Sequence, residues 1–273
     1  MSVHRQSPPS VILSMDVCSK DISEYRILIQ GHVRYLTIAR GTYDRSTLSM
    51  PLDSLPDLPR SDAWNRAHIS RDSSIGELKT EVWTETLPAV QDIWHPETVD
   101  CLKLERVKQI TAATFEATCS RQELSTAPTP TSTVIAKIAR FQWEIPRLSQ
   151  ETRIYKSLEN TGLAPRFLGH VHEHGRVIGI LLEKLEGRAA NIEDLSACMS
   201  VLQHLHNIGI RHGDVNRYNF IIHNDTARLI DFERSQTVCG DPASLEAEME
   251  SLKDQLNECT GRGGGFQFIK AQT

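Results

Sequence analysis

The stretch that decides the fold reads His212-Gly213-Asp214-Val215-Asn216-Arg217-Tyr218-Asn219, and Leu229-Ile230-Asp231-Phe232-Glu233 follows it. Asp214 and Asn219 lie on one loop, where they can point to opposite sides of a bound group. Asp231 enters from an adjacent apolar strand. Two carboxylates and an amide suit phosphoryl transfer, because one acid must face the acceptor hydroxyl while the other groups hold magnesium on a nucleotide. The alternative is two ordinary loop carboxylates beside a buried strand.

A helix is predicted directly before this loop. Asn191 can cap its start and Gly209 can close its end, with acidic residues in the first turn. Residues that recur at three- and four-residue spacing mark one buried face: Leu195, Cys198, Met199, Leu202, Leu205 and His206. Such a helix leads the chain straight into the loop, and this order of elements argues against two unrelated carboxylates.

These motifs resemble the protein-kinase-like superfamily. The H-G-D form of the loop, with Gly213, resembles the branch that contains aminoglycoside phosphotransferases and RIO-type atypical kinases. The string from His212 to Phe220 is similar to a group of fungal kinase-like proteins of poorly defined activity. The resemblance covers roughly residues 95–265. It implies an α+β, bilobal fold, in which a small antiparallel β lobe with one helix precedes a compact, mostly helical large lobe.

The resemblance divides the chain into an N-terminal extension at 1–94, a small lobe at 95–186 and a large lobe at 187–273. It also implies roles for the loop residues. Asp214 would be the catalytic residue that orients or deprotonates the acceptor, and Asn219 and Asp231 would bind Mg²⁺ on ATP. Glu233 departs from the family pattern, since glycine follows Asp-Phe in most relatives.

A lysine strand and a helical glutamate are predicted in the small lobe. Thr133 to Ala139 has the apolar character of the kinase lysine strand, and Lys137 on it can reach nucleotide phosphates. The next segment reads as a helix from Pro146 to Asn160. Its apolar face includes Glu151, a position that is unfavourable for a carboxylate unless it is paired. We expect Lys137 to be the partner, although a solvated lysine and a rim glutamate would also fit the pattern.

A hairpin follows this helix. The apolar run from Val177 to Leu182 predicts a strand that is buried on both faces. In the kinase resemblance the backbone groups of Glu183 and Leu185 face the adenine. Three alternating histidines precede the run, namely His170, His172 and His174, and we interpret them as surface residues because no cysteine or carboxylate pattern completes a metal set.

The predicted phosphate-binding turn lacks glycine. It connects two candidate strands, Cys101–Val107 and Phe115–Cys119, and reads Gln109-Ile110-Thr111-Ala112-Ala113-Thr114. Threonine hydroxyls can donate to phosphate, but left-handed backbone conformations are costly here. This feature favours a scaffold without catalysis, whereas the complete set of polar residues favours an enzyme.

The segment after Asp231 is short and holds no A-P-E motif. Asp241-Pro242 predicts a helix start. Its apolar stripe is Leu245, Met249, Leu252 and Leu256, and we expect its glutamates, including Glu248, to be solvated. Peptide-docking subdomains have no room here. A small hydroxyl-bearing acceptor, or a protein bound in an atypical way, fits a compact large lobe better.

Composition agrees with this interpretation. A net charge of −5 and a sequence pI near 6.1 argue against a nucleic-acid surface. Six cysteines without C-x-x-C read as reduced thiols of a cytoplasmic or nuclear protein, and the sequence shows neither a signal peptide nor a membrane-spanning run. In the extension, a hairpin is predicted around Gln30-Gly31-His32, with loop from Asp44 to Asp62. Residues 125–132 are predicted as another exposed loop.

Two functions of different class follow. The first is a Mg-ATP-dependent phosphotransferase that acts on a hydroxyl of a small molecule or, atypically, of a protein. The second is a pseudokinase, a nucleotide-binding or structural scaffold whose N-terminal extension engages a protein partner. A glycosidase with Asp214 and Asp231 as paired acids is disfavoured, because aromatic residues make up only 6% of the chain and none cluster beside the acids. The sequence leaves a sugar alcohol, an aminoglycoside-like metabolite, a lipid headgroup and a protein serine open as acceptors.

Overall fold

The computed structural model describes residues 10–264, except 57, 60–62, 121–130, 239, 259 and 262. Most of the predicted loop at 125–132 and two of the six cysteines lie outside these residues. The described part of the chain is mixed α+β, as the sequence predicts. Contacts divide it into two units, one running to Pro88 and including Arg140–Gln142, and the other comprising Ala89–Ala139 and the chain from Trp143 onward.

The first unit is built on a five-stranded sheet of order β1-β2-β3-β4-β5. Its strands are β1 Val11–Asp16, β2 Ser23–Ile29, β3 His32–Ile38, β4 Arg66–Arg71 and β5 Leu78–Trp83. The predicted hairpin is confirmed as β2 and β3, whose turn has positive φ angles at Gln30 and Gly31, as the twist of two-residue hairpins requires. The extension is more than this hairpin, because β3 also pairs with β4 in parallel.

The prediction of loop from Asp44 to Asp62 is wrong in its first part. Asp44 accepts a hydrogen bond from the Thr47 amide at 2.8 Å and caps a short helix, α1 Arg45–Ser49. A 3₁₀ turn, Pro51–Ser54, follows. Leu48 on α1 is buried in the apolar core of this unit with Tyr25 and Trp64, so packing as well as the Asp44 cap stabilises this short helix.

The second unit contains a six-stranded sheet of order β6-β10-β11-β9-β8-β7. Its strands are β6 Thr98–Asp100, β7 Glu105–Gln109, β8 Thr114–Ser120, β9 Thr131–Ile138, β10 Phe167–Glu173 and β11 Arg176–Glu183. The predicted start of the first strand is wrong: Cys101–Lys103 forms a 3₁₀ turn because the Asp100 side chain caps it. The apolar run in β11 is buried along its length, as predicted.

The prediction that His170, His172 and His174 are surface residues is wrong for the first of them. His170 is fully buried, since β10 is not an edge strand but pairs with β11 on one side and in parallel with β6 on the other. Trp94 and Phe167 pack around its ring. His172 is half-buried, and His174 lies exposed in the turn.

The remaining elements of the second unit are three longer helices and five short strands. They are α2 Ile145–Ser157, β12 Arg188–Ala189, α3 Leu195–Asn207, β13 Ile210–Arg211, β14 Phe220–His223, β15 Thr226–Leu229, β16 Gln236–Thr237 and α4 Pro242–Asn257. Asn191 forms a capping box at the 3₁₀ turn that leads into α3, and Asp241 caps α4, as predicted. The prediction that Met199 belongs to the buried face of α3 is wrong, since Met199 is 44% exposed and Val201 is buried instead.

The four described cysteines form no disulfide with one another, and Cys119 and Cys198 are buried. None of the helices in the described part of the chain combines the length and the apolar composition that crossing a bilayer requires.

Candidate active site

The loop from His212 to Asn219 is shaped by its own side chains. The Asn216 side chain accepts a hydrogen bond from the Tyr218 amide at 2.9 Å and donates one to Asp214 Oδ1 at 3.0 Å. The Asn219 side-chain amide donates to the Asp214 carbonyl at 2.9 Å. These contacts orient the Asp214 carboxylate and leave it half-buried, so it is accessible to a ligand.

Glu248 on α4 anchors the start of this loop. Its carboxylate accepts hydrogen bonds from the backbone amides of His212 at 2.9 Å and Gly213 at 2.6 Å, and it lies 2.8 Å from His206 Nε2. The prediction of a solvated Glu248 is therefore wrong, since the residue is 9% exposed. Burial alone would raise the pKa of Glu248, but the His206 side chain and the two amides outweigh it and lower that pKa.

Gly213 has a steric reason to be glycine. Its φ is +81°, a left-handed conformation that L side chains rarely adopt. A Cβ atom at this position would also lie only 2.4 Å from the Arg234 carbonyl oxygen. The H-G-D form of the loop therefore follows from the close approach of the backbone that carries Glu233 and Arg234.

Lys137 gathers three carboxylates that are far apart in the sequence. Its Nζ lies 2.8 Å from Glu151 Oε2, 2.6 Å from Asp231 Oδ1 and 2.8 Å from Glu233 Oε1. The expected contact between Lys137 and Glu151 is present. It is a charge contact rather than a directed hydrogen bond, because Glu151 Oε2 has no hydrogen-bond donor, while Oε1 accepts from the Phe232 amide at 3.2 Å.

The backbone turns sharply at the end of β15. Asp231 has a φ of +65°, a conformation that is costly for most residues other than glycine and is often found at functional sites. Beyond this turn Glu233 meets the same ammonium group as Asp231 does. In the sequence, Glu233 is notable only as a departure from the family pattern. The structure shows that its carboxylate contacts Lys137, so Glu233 belongs to the charged cluster.

The charges in this cluster shift one another's pKa values. Burial opposes the charge on Lys137, yet the three carboxylates outweigh it and raise the pKa of that lysine well above its ordinary value. Burial would likewise raise the pKa of Asp231, but Lys137 lowers it overall. Glu151 is different, since burial dominates over the attraction of Lys137 and raises its pKa to about 7. One cation thus faces two to three negative charges near neutral pH.

A cavity of about 390 Å³ opens onto this cluster. This volume lies within the range of small-molecule sites. Six of the seven predicted site residues line it: Lys137, Glu151, Glu183, Leu185, Asn219 and Asp231. Its walls are mainly apolar on the side of Ile135, Leu182 and Ile230, which suits a flat aromatic ring better than a polar ligand.

The seventh predicted residue, Asp214, lines a second cavity of about 580 Å³. The two cavities share one lining residue, Gly263, whose φ of +84° again favours glycine. A Cβ atom at Gly263 would lie 2.6 Å from the Asn216 side chain. The site therefore has two neighbouring compartments, with the loop from Asp214 to Asn219 contributing to both.

The glycine-free turn between β7 and β8 lines the first cavity through Ile110, Thr111 and Thr114. Thr111 Oγ1 accepts hydrogen bonds from the amides of Ala113 and Thr114, at 3.3 and 3.1 Å. The Gln109 side-chain amide donates to the carbonyl oxygens of Thr111 and Thr114. Side-chain hydrogen bonds thus shape this turn without glycine.

The oxygen donors at the cluster suit a hard divalent cation. Ligand atoms of Glu151, Asp231 and Glu233 all lie within 4.8 Å of one another, the one such group among the described residues. Asn219 lines the same cavity, and its nitrogen is engaged with the Asp214 carbonyl, which leaves its amide oxygen as the available ligand atom. Carboxylate and amide oxygens are the ligands that Mg²⁺ uses in proteins.

Residues 130–263 match the model of the lipopolysaccharide kinase (Kdo/WaaP) family, which belongs to the protein-kinase-like superfamily. The match begins just before β9 and ends at Gly263, so it includes all seven predicted site residues but not the turn between β7 and β8. None of the curated proteins compared with the chain matches it. The narrower resemblances to the H-G-D branch and to fungal kinase-like proteins remain predictions.

Proposed function

We propose that this protein transfers the γ-phosphoryl group of Mg-ATP to a hydroxyl of a small, sugar-like molecule. The observation that carries the proposal is the meeting of Lys137, Glu151 and Asp231 at one cavity, with Asp214 facing the neighbouring cavity. The match to a family of lipopolysaccharide kinases supports a sugar hydroxyl as acceptor.

In this proposal the first cavity holds the nucleotide. Backbone groups of Glu183 and Leu185 bond the adenine, and Lys137, positioned by Glu151, contacts the phosphates. Asn219 and Asp231 hold Mg²⁺, which when bound neutralises charge on the transferring phosphoryl group. Because Lys137 contacts Asp231 and Glu233 in the structure, its ammonium must turn from one of these carboxylates towards the phosphates when ATP binds.

Asp214 is proposed to act on the acceptor. Its carboxylate accepts a hydrogen bond from the acceptor hydroxyl, and it takes the proton as the oxygen bonds to the γ-phosphorus and the bond to ADP breaks. Asn216 donates to the same carboxylate and so limits its rotation. The products are ADP and a phosphate monoester.

We also propose the bilobal arrangement at this cleft. Its support is that residues 95–186 and residues 187–273 both contribute to the first cavity. Strands β8, β9 and β11 line it from the first range, and the segment from Tyr218 to Asp231, which includes β14 and β15, lines it from the second. Apolar residues of both ranges belong to one continuous core cluster.

The second candidate function is a pseudokinase. Two features favour it. Glu233 contacts the Lys137 ammonium that the phosphates would have to contact, and the turn between β7 and β8 lacks glycine. In that case the protein binds a nucleotide or a partner without transferring phosphate.

Two measurements on the full chain separate these functions. The first is the change in melting temperature with ATP alone and with ATP plus Mg²⁺, and we expect a Mg²⁺-dependent increase. The second is transfer of labelled γ-phosphate to a cell extract divided by size, with label expected in the small-molecule fraction. A melting temperature that Mg-ATP leaves unchanged rejects the enzyme, and a shift without any transfer supports the pseudokinase. Label in the protein fraction alone would point to a protein acceptor.

A further inference from the structure

We propose that the edge strand β5 of the first unit pairs with β5 of a second copy of this chain, so that two five-stranded sheets join into one. The inference concerns a surface that takes no part in the proposed function. It comes from two observations. Strand β5 presents an open and regular edge, and its sequence from Leu78 to Val82 is complementary to itself when two copies run antiparallel.

Half of the backbone groups of β5 point away from its sheet. The Asp72 amide donates to the Glu77 carbonyl at 2.8 Å, so the carbonyl of Glu77 points towards β4. Backbone groups of successive residues alternate in direction along an antiparallel strand, so those of Leu78, Thr80 and Val82 point outward. Because β5 is the last strand of its sheet, these outward groups have no partner strand among the residues that the structure describes.

The other edge strands of the two larger sheets are protected against such pairing. A register irregularity interrupts β1 and another interrupts β7, and β6 has only three residues. Strand β7 also exposes the charged side chains of Glu105, Arg106 and Lys108. Bulges, short strands and charged side chains are means by which proteins prevent edge pairing. Strand β5 instead pairs with β4 in one uninterrupted register, so among these four edges it is the best suited to accept a strand.

The sequence of β5 is complementary to itself about Thr80. An antiparallel pair centred on this residue places Thr80 opposite its own copy, Leu78 opposite Val82, and Lys79 opposite Glu81. The outward-pointing residues form the hydrogen-bonded pairs of that ladder, about six bonds in all. Lys79 and Glu81 take the positions between them, where facing side chains come closest. Facing threonines and facing opposite charges both stabilise a strand pair.

Lys79 and Glu81 are available for contacts with a second copy. Within one chain, Lys79 Nζ lies 2.6 Å from Glu81 Oε1, and the two side chains are 61% and 54% exposed. An ion pair this exposed contributes little by itself. In the joined sheet the two lysines and two glutamates form one group of alternating charge, in which each charge has two opposite neighbours.

The core face of the first sheet continues onto β5 without being fully covered. Val82 lies opposite Ala67, which is fully buried, and therefore shares the core face with it. Leu78, four residues earlier, lies on the same face, because side chains alternate along a strand. Leu78 and Val82 are nevertheless each 37% exposed. In the joined sheet Leu78 meets Val82 of the second copy, so pairing removes part of this apolar surface from water.

Sedimentation equilibrium of the full chain measures the association. A strand-edge contact is smaller than a standard interface, so we expect a monomer–dimer equilibrium with a Kd of roughly 1–100 μM. Amide hydrogen exchange at low and high protein concentration locates the contact. The amides of Leu78, Thr80 and Val82 should exchange at least tenfold more slowly in the dimer, whereas those of β7 should not change. A wild type that stays monomeric at about 300 μM overturns the inference and leaves the edge to a strand of another protein.

Charge reversal tests the register. Lys79→Glu places like charges opposite each other across the pair, and so does Glu81→Lys, so each variant alone should raise the dimer Kd at least tenfold. An equimolar mixture of the two variants restores opposite charges at both positions and should form a heterodimer with a Kd near that of wild type. The ion pair within one chain is lost in each variant and in the mixture, so only the facing strand explains this recovery. Lys108→Glu, exposed on β7, is the matched control and should leave the Kd unchanged.

Thr80→Pro tests the open edge itself. Proline removes an outward N–H donor and leaves the bonds between β4 and β5 in place. We expect the dimer to be lost while the melting temperature of the dilute protein stays close to that of wild type. The inference is overturned if the folded variants dimerise as wild type does, or if the mixture of charge variants stays monomeric. None of these measurements contains nucleotide, so a missing Mg-ATP shift would reject the proposed function alone.

Discussion

The two sheets of this protein bury charged residues in different ways. In the first unit, Arg34 lies with its guanidinium 4.3 Å from the centre of the Trp64 ring, and Arg66 Nε lies 2.6 Å from Glu85. Each cation there has a partner of its own. In the second unit, one ammonium group, that of Lys137, faces three carboxylates at a cavity.

This difference shows which buried charges indicate a site. An ion pair such as Arg66–Glu85 balances its own charge and needs no ligand, so it belongs to the structure of its sheet. An excess of negative charge at a cavity is unfavourable unless a further cation or a bound proton compensates it. We therefore expect substitutions in the first unit to change stability, and substitutions in the cluster to change nucleotide binding and transfer.

The largest expected effect is the loss of transfer in Asp214→Asn. An amide cannot accept the proton of the acceptor hydroxyl, so the rate should fall by roughly 10²–10⁴. The Mg-ATP-dependent increase in melting temperature should persist, because Asp214 does not line the first cavity, where we propose that the nucleotide binds. Asp254→Asn on the exposed side of α4 is the control. A variant that keeps more than a tenth of wild-type transfer would remove Asp214 from the mechanism.

The next effect concerns the first unit alone. Trp64 is 3% exposed, and Trp64→Ala should lower the free energy of unfolding of that unit by about 3–5 kcal/mol through the cavity it leaves. Trp83→Ala, at a position that is 39% exposed, is the matched control and should cost much less. Denaturant unfolding measures both. If Trp64→Ala also abolished the Mg-ATP shift while the chain remained folded, the contrast between the two sheets would not hold.

The next prediction concerns Glu248, a buried acid beside the loop whose role we expect to be structural. Glu248→Ala leaves two loop amides and His206 without their acceptor, and we expect a loss of roughly 2–4 kcal/mol in unfolding free energy. Glu246→Ala, exposed on the same helix, should stay within about 0.5 kcal/mol. Equal stabilities for the two variants would contradict the anchoring role.

Asp231→Asn should weaken nucleotide binding only when Mg²⁺ is present. The amide loses the charge that favours the metal, so the Kd for Mg-ATP should rise at least tenfold, about 1.4 kcal/mol. The Kd for ATP in EDTA should change little. Calorimetric titration of both forms measures the difference, and an equal effect with and without metal would argue against Asp231 as a ligand.

The last effect is a pH dependence of stability caused by Glu151, which is small over any single pH unit. Its pKa is about 7 in the folded protein and near 4.5 when exposed, so the folded state holds the proton more tightly. The resulting stabilisation is complete below about pH 4.5 and is lost as the pH rises to about 7. In wild type, the free energy of unfolding should decline by less than about 1.4 kcal/mol per pH unit, the limit for one proton. In Glu151→Gln the free energy of unfolding should lack this decline. Identical slopes for wild type and Glu151→Gln would reject the shift.

Much of the cluster could be foreseen from residue spacing. The apolar face of α2 contains Glu151, and the apolar strand β9 contains Lys137, so a pair was expected before any contact was known. The spacing of these residues in the sequence could not show that the Asn216 side chain connects Asp214 with the turn at Arg217–Asn219 by hydrogen bonds to both. That link depends on the loop's backbone path rather than on residue type.

Three features could not be read from one-dimensional patterns. Helical spacing places Glu248 on the apolar face of α4 with Leu245 and Leu252, but it does not show that His206 and the loop amides meet the carboxylate there. His170 is buried because a parallel strand, β6, arrives from an earlier part of the chain. The first sheet extends past its hairpin because β4 pairs with β3 across a helix and a turn.

By itself the sequence determined what is local: helix starts at Asn191 and Asp241, the hairpin turn at Gly31, and the order of the motifs from Lys137 to Asp231. Caps, turns and periodicity act over a few residues, and their chemistry is visible in the order of side chains. The tertiary structure alone decided that Glu233 meets Lys137, that Glu248 is held by His206 and the loop amides, and that Arg211 Nε is buried without a hydrogen bond to any residue that the structure describes. Those outcomes depend on which distant groups become neighbours, and pairing across space sets the cost of every buried charge.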